Sequence, residues 1–488
     1  MLNCFVETMP EDARSPYILT RAPGAQQLAF VTLATTNNGP IQGIHAAHGV
    51  LYIICQGKLY SWDGTASQTG TLLGSVPSSS GNYDMDSNDT SLVVTTGGAE
   101  AYYYTPSGPT FGQITDDDFL AQGNVSEVEF LDNYLLFAKA DSGVFFGADL
   151  GSATSFDALN FAEAEGFPDN IVGMKSDHRQ LLLFGERTTE IWGNAGVSGF
   201  PFQRVPNGFI QVGCAAGRTV ARLGSSVAWV ADDLSVRVLE GVAATRISTH
   251  AIEQWLRTVT LSTGRASFYR QEGHVFYVLW FAEGTRVFDL TTGQWHERQS
   301  YGRDNWVWGF ATEFDRNGVI DVIVGQAEVV YPSSQFDGAV IARLLPTYYL
   351  DYAPTNAVGG LSQQRMEWIY QPVYAEGRAA FHHRLEMMFE SGVGLETDSE
   401  VFAEDLGGGV GQVVPTGSDP SVLLDYSDDG GKTWRSLPSK KLGKVGEYQK
   451  RVVWHALGSS RQRVYRASVS DPVPVTLIDT QLEVTGGR

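Results

Sequence analysis

From Leu51 onward one small pattern recurs down two-thirds of the chain: an apolar run, a tight polar or glycine turn, and a second apolar run. The pairs begin near Leu51, Leu92, Tyr134, Leu181, Val227, Val275 and Ile320. Runs of Val, Ile, Leu, Phe and Tyr joined by Gly, Asn or Asp read as β-hairpins. The clearest is Leu51–Cys55 with Lys58–Trp62 about Gln56-Gly57, followed by Leu92–Thr95 with Glu100–Tyr104 about Gly97-Gly98. Successive pairs lie 41 to 48 residues apart, the length of one four-stranded propeller blade. The pattern predicts an all-β chain with a β-propeller of about seven blades, or six with a shared strand. Many unrelated activities sit on propellers, so function has to be argued from elsewhere.

A chain of 488 residues exceeds one ordinary core. Residues 41–335 are read as the blades. Residues 1–40, broken by Pro10, Pro16, Pro23 and Pro40, read as an irregular segment with one strand at Leu28–Leu33 that closes the ring by joining the last blade. Ser248–Arg257 departs from the pattern. Ser248 or Thr249 can cap a helix there, with Ile252, Trp255 and Leu256 on one face. Residues 336–363 read as a connector, and 364–488 as a C-terminal β-sandwich-like domain. In that domain Phe381, His383, Leu385, Met387 and Phe389 alternate with His382, Arg384, Glu386, Met388 and Glu390, as in a half-buried strand. Residues 391–419 are Gly-rich and acidic and read as a long loop.

Composition excludes several classes. Cys4, Cys55 and Cys214 are too far apart for a disulfide framework or zinc spacing. The first residues lack a basic stretch followed by an apolar one, so no secretory signal is expected. No apolar run approaches a membrane span. Folding in a cytoplasm is the expectation. The net charge is -21, a field that repels phosphate backbones.

That charge is uneven. Of 34 Lys and Arg residues, ten lie in one segment: Lys432, Arg435, Lys440, Lys441, Lys444, Lys450, Arg451, Arg461, Arg463 and Arg466. Of 55 acids only Glu447 lies among them, which leaves 24 basic and 54 acidic residues elsewhere. Such asymmetry marks either an oriented contact or a solvated strand face.

Chemical motifs are sparse. Ser427-Asp428-Asp429-Gly430-Gly431-Lys432-Thr433-Trp434 fits the Asp-box S-x-D-x-G-x-T-W. Ser427, Asp429, Gly430, Gly431, Thr433 and Trp434 then form a turn in which Asp429 accepts backbone N–H bonds and Trp434 packs beneath the hairpin. Asp-boxes are prominent in sialidases, but a single box outside the blades reads as a fold element. His382 and His383 face opposite sides of a strand and cannot share an ion. Asp84–Asp89 starts like a calcium loop, but lacks its glycine and its final acid and reads as a turn before a strand. No phosphate loop or nucleophile elbow occurs. No catalytic residue, cofactor or metal is expected.

Six stretches, in shared order, carry a likeness: Ala162–Asp169, Phe184–Trp192, Phe200–Arg204 running on to Val212–Ala216, Arg246–Glu253, Trp295–Arg298 and Tyr426–Trp434, closing at Ser470–Val475. Together they resemble the packaged-DNA stabilisation proteins of short-tailed bacteriophages, the tail-hub or nozzle proteins. The resemblance covers nearly the whole chain. It implies a virion tail component that forms a homohexameric ring below the portal and head-to-tail adaptor. Such a ring continues the DNA channel, helps retain the genome, and carries fibres, spikes or a needle. It brings no catalytic residues and no membrane insertion. Double-stranded DNA would pass without sequence-specific binding. In the family more chain usually precedes the segment matching Asn3–Glu7, so contacts made by that start are in question here. The alternative from another class is a glycan-binding or glycan-degrading propeller of the tail.

Overall fold

The computed structural model describes every residue except 31–38, 66–69, 79–80, 165, 317, 328–338, 354–359, 375–377, 404–411 and 487–488. Nearly all regular structure is antiparallel β, and seven four-stranded sheets follow one another along the chain. The chain divides into two compact units: residues 27–283 with 307–343, and residues 1–26 with 284–306 and 344–488.

The first unit holds the inner and second strands of all seven sheets, here blades 1 to 7. The inner strands are Ile41–Ala47, Asp84–Ser87, Val125–Leu131, Ile171–Asp177, Ala221–Leu223, Arg265–Gln271 and Trp308–Arg316. Each is followed by the apolar strand that the sequence pattern marks, beginning at Val50, Leu92, Tyr134, Gln180, Ser226, His274 and Val319. Those second strands are buried on both faces over most of their length, with Val319 and Ile320 at the start of the last one exposed; Leu51, Tyr52, Ile53 and Ile54 are wholly covered. Tight turns close the hairpins. Gln56 and Gly57 both take positive φ (49° and 67°), which the twist of a two-residue hairpin requires and which Gly57 adopts freely.

Blade 7 takes Gly24–Phe30 as its outermost strand. The expected ring-closing strand therefore starts earlier than Leu28, and the rest of that expectation lies outside the described residues. The helix runs His250–Leu256. Thr249 caps it by accepting the Ile252 N–H, and Ile252 and Leu256 are buried.

The second unit contains the β-sandwich. One sheet has the order Cys4–Thr8, Tyr17–Arg21, Thr476–Gly486, Ala380–Phe389, Val452–Ser460. The other has the order Met366–Ile369, Gln462–Val469, Ser421–Ser427, Arg435–Lys441. Trp368, Leu385, Met387, Leu424, Trp454, Tyr465 and Cys4 are buried in one apolar core.

Four expectations need correction here. Residues 1–21 are not irregular: Cys4–Thr8 and Tyr17–Arg21 pair in register and complete a sandwich sheet, with Pro10 and Pro16 in the turn between them. The connector begins later than 336, because Val340–Leu345 is an apolar blade strand, and Leu350–Ala353 pairs with Gly360–Gln363. The acidic segment 391–419 is not one loop: Ser399–Ala403 pairs with Gln412–Thr416 as a hairpin. Finally, a bulge between His382 and Arg384 shifts the register of Ala380–Phe389. One extra residue reverses which face each side chain meets. His382 is buried, whereas Phe381 is 48 % exposed.

Candidate functional site

The Asp-box forms as its residue types require. Ser427 is buried, and its Oγ accepts the Gly431 N–H at 2.8 Å. Asp429 Oδ1 accepts from the Lys432 and Thr433 N–H groups, each at 2.9 Å, and Oδ2 from the Thr433 hydroxyl at 2.6 Å. Gly430 and Gly431 both have positive φ. The Thr433 and Ser427 hydroxyls, with these N–H groups, hold the Asp429 carboxyl well below the usual range. That is the reverse of what a general acid needs. Trp434 does not lie in the sandwich core. It is partly exposed, and the Arg466 guanidinium stacks on its ring at 4.2 Å. A few kcal/mol, the scale for a deleted core aromatic, is therefore too much. Trp434→Ala should cost about 1 kcal/mol, the scale of a partly exposed cation–π pair. Chemical denaturation of the sandwich measures this.

The ten basic residues separate into two groups. Arg463 is buried, fixed to Asp428 by bonds of 2.6 and 2.8 Å and stacked on Tyr426. Arg466 bonds Asp425 at 2.8 Å, and Arg451 bonds Glu386 at 2.9 Å. Lys441 pairs with Asp419 and Lys450 with Glu447. These five neutralise acids of their own domain. Among the described residues the other five, Lys432, Arg435, Lys440, Lys444 and Arg461, have no ion-pair partner. Arg435 and Lys440 lie on Arg435–Lys441, the outermost strand of its sheet, together with Pro438. Lysine and proline there block strand-to-strand association.

One polar cluster joins the inner strands of blades 2, 3 and 4, and sequence reasoning did not assemble it. Asp84–Asp86 is not a turn but lies in the inner strand of blade 2. Asp84 accepts the Val128 N–H at 3.0 Å and Asp86 the Phe130 N–H at 2.7 Å, both from the inner strand of blade 3. In turn Glu127 accepts the Met174 N–H, and Glu129 accepts the Ser176 N–H and hydroxyl at 3.1 and 2.9 Å, from blade 4. Lys175 forms an ion pair with Glu129, whose side chain is only 3 % exposed. An inner strand has one edge with unpaired donors, and here the preceding blade's carboxylates satisfy them. The available signal was D-x-D at 84 and 86 followed by E-x-E at 127 and 129, one repeat apart.

Burial, with the neighbouring Glu129, pushes the Asp86 carboxyl up to about 7 and raises Asp84 and Glu127 as well. His45 donates to or accepts from Ser87 Oγ at 3.0 Å, and burial lowers it to about 4, so it is neutral at pH 7. A carboxyl raised on folding favours the native state fully below its unfolded value near 4, and this contribution fades as pH rises toward about 7. Asp86→Asn keeps an acceptor oxygen without the charge. Its stability relative to wild type should therefore increase between pH 5 and pH 8 in thermal unfolding. A constant difference across that range would contradict the assignment.

Elsewhere, burial raises the three free thiols, Cys4, Cys55 and Cys214, to about 12, so they are unreactive at neutral pH. His382 bonds Ser460 and Tyr465 on one face, while His383 bonds Thr485 on the other. Among the described residues no group of three or more His, Cys, Asp or Glu is arranged to hold a metal ion. No described helix is long and apolar enough to cross a membrane.

Fold and polar groups together define a propeller–sandwich protein whose assembled carboxylates serve the architecture. The chain belongs to the bacteriophage P22 Gp10 family: its β-propeller description matches residues 3–306 and its β-sandwich description residues 366–485. It is thus a structural component of the phage tail, of the packaged-DNA stabilisation type. No curated protein matches the chain. Among solved structures it is similar to the N-terminal domain of Nup159 (TM-score 0.41, 10 % identity, 70 % of this chain and 98 % of that one). It is also similar to BamB from Moraxella catarrhalis (0.37, 13 %, 70 % and 96 %) and to the computationally designed Ika8 protein (0.39, 14 %, 66 % and 100 %).

Proposed function

We propose that copies of this chain form a closed hexameric ring at the tail vertex, below the portal and head-to-tail adaptor. The ring extends the DNA channel, retains packaged genome and anchors the fibres, spikes or needle. The chain folds and assembles in the bacterial host cytoplasm and then resides in the virion tail. The observation that carries this reading is the family match over both the propeller and the sandwich. Charge supports it: a chain at -21 lets DNA slide, whereas a basic wall would hold the backbone by counterion release.

The glycan-processing alternative draws only on the Asp-box, and both carboxylate oxygens of Asp429 are occupied by its own turn. Particles assembled without this chain test the role. They should package DNA and then lose it, and should carry no fibres or spikes. Particles that keep their genome would contradict retention.

A further inference from the structure

One end of the sandwich gathers exposed aromatic side chains and unpaired cations. The turn Ser460–Gln462 is its centre. Phe381 pairs with Ser459 on one side of that turn, and Tyr374 pairs with Gln462 on the other. The Asp-box turn adjoins it: a Cβ at Gly430 would stand 3.4 Å from Gln462 Nε2. Tyr374 is 64 % exposed and Phe381 48 %. Arg461 projects from the central turn and Lys432 from the Asp-box turn. Arg378 lies on the link between Tyr374 and Phe381, and all three are exposed. Among the described residues none of these three cations has an ion-pair partner.

This end differs from the Arg435–Lys441 edge, where lysine and proline already have a role in blocking strand pairing. Among the described residues the Tyr374 and Phe381 rings belong to no buried core cluster, and the bulge at His382–Arg384 is what turns Phe381 outward. Aromatic rings beside arginine are the composition of an interface centre rather than of ordinary surface.

We propose that this end of the sandwich docks on the acidic surface of a second copy of the chain. The inference rests on the ring reading above and names the contact that closes it. Charge complementarity selects the occupant: outside Lys432–Arg466 the chain carries 54 acids against 24 basic residues. A contact between two different surfaces of identical copies generates a ring. Opposite charge then fixes its register and speeds its formation.

The test compares assembly of the purified full chain by analytical ultracentrifugation at low and high salt. Wild type should assemble. The double charge reversal Lys432→Glu/Arg461→Glu should raise the concentration needed for assembly by about tenfold or more at low salt, the scale of a desolvated charge contact. Lys440→Glu/Lys444→Glu should change it by less than about threefold, as an exposed edge does. Tyr374→Ala/Phe381→Ala alters only exposed rings. It should weaken assembly while leaving the thermal unfolding of the sandwich in place, which separates docking from misfolding. Rings that form equally well in all variants would overturn the docking assignment and leave the ring reading standing. Intact rings with reduced affinity for duplex DNA would overturn it in favour of a DNA contact. A wild-type chain that stays monomeric would remove both.

Discussion

Replacing Glu129 with alanine should lower the stability of the propeller by about 3 kcal/mol, the scale for removing one partner of a buried, hydrogen-bonded ion pair. Glu129 is the most enclosed of the inner-strand acids. It accepts from the Ser176 N–H and hydroxyl and pairs with Lys175, all from the next blade. Its loss leaves a cation and a backbone donor without their acceptor inside the ring. Lys175 keeps some solvent access (29 %), which holds the loss to the lower part of that scale. Glu129→Gln keeps an acceptor oxygen and should lose about half as much. Urea unfolding measures both. A loss under about 1 kcal/mol for the alanine variant would show that the inter-blade carboxylates are ornamental.

A chain that begins at Ala22 should fail to fold its sandwich. Cys4 and Phe5 are fully covered, and burial of such side chains contributes about 1.5–3 kcal/mol for the larger of them. Arg21, also buried, donates to the carbonyls of Gln364, Asp471 and Val473 and lies over the Tyr349 ring. Its backbone N–H bonds the Val475 carbonyl at 3.0 Å. Losing both strands and these bonds removes roughly 5 kcal/mol, comparable to the whole stability of a domain. Limited proteolysis should then digest residues 366–485 in the shortened chain and leave them resistant in the full chain. A resistant, cooperatively unfolding sandwich in the shortened chain would contradict this account.

The second strand of every blade was legible because it is buried on both faces and reads as a continuous apolar run. The inner strands were not. Asp84–Ser87 is DMDS and Ala221–Leu223 is three residues long, so neither shows periodicity. The sandwich strands at the chain start were hidden for another reason. Tyr17–Arg21 finds its partner in Thr476–Gly486, at the far end of the sequence, and two prolines obscure the hairpin. The Asp-box was readable because its bonds close within seven residues, Ser427 to Thr433. The carboxylate staples were not, because each acid meets a donor 44 to 47 residues away. The sorting of the basic segment also needed the fold. Arg463 and Arg466 meet Asp428 and Asp425 only across paired strands.

The ring is the central claim, and images of the virion tail vertex test it most directly. With this chain labelled at its C-terminus, the account predicts six copies in a six-fold ring below the portal and adaptor, with DNA on its axis. A single copy, a fibre-tip location or a ring of different symmetry would contradict it.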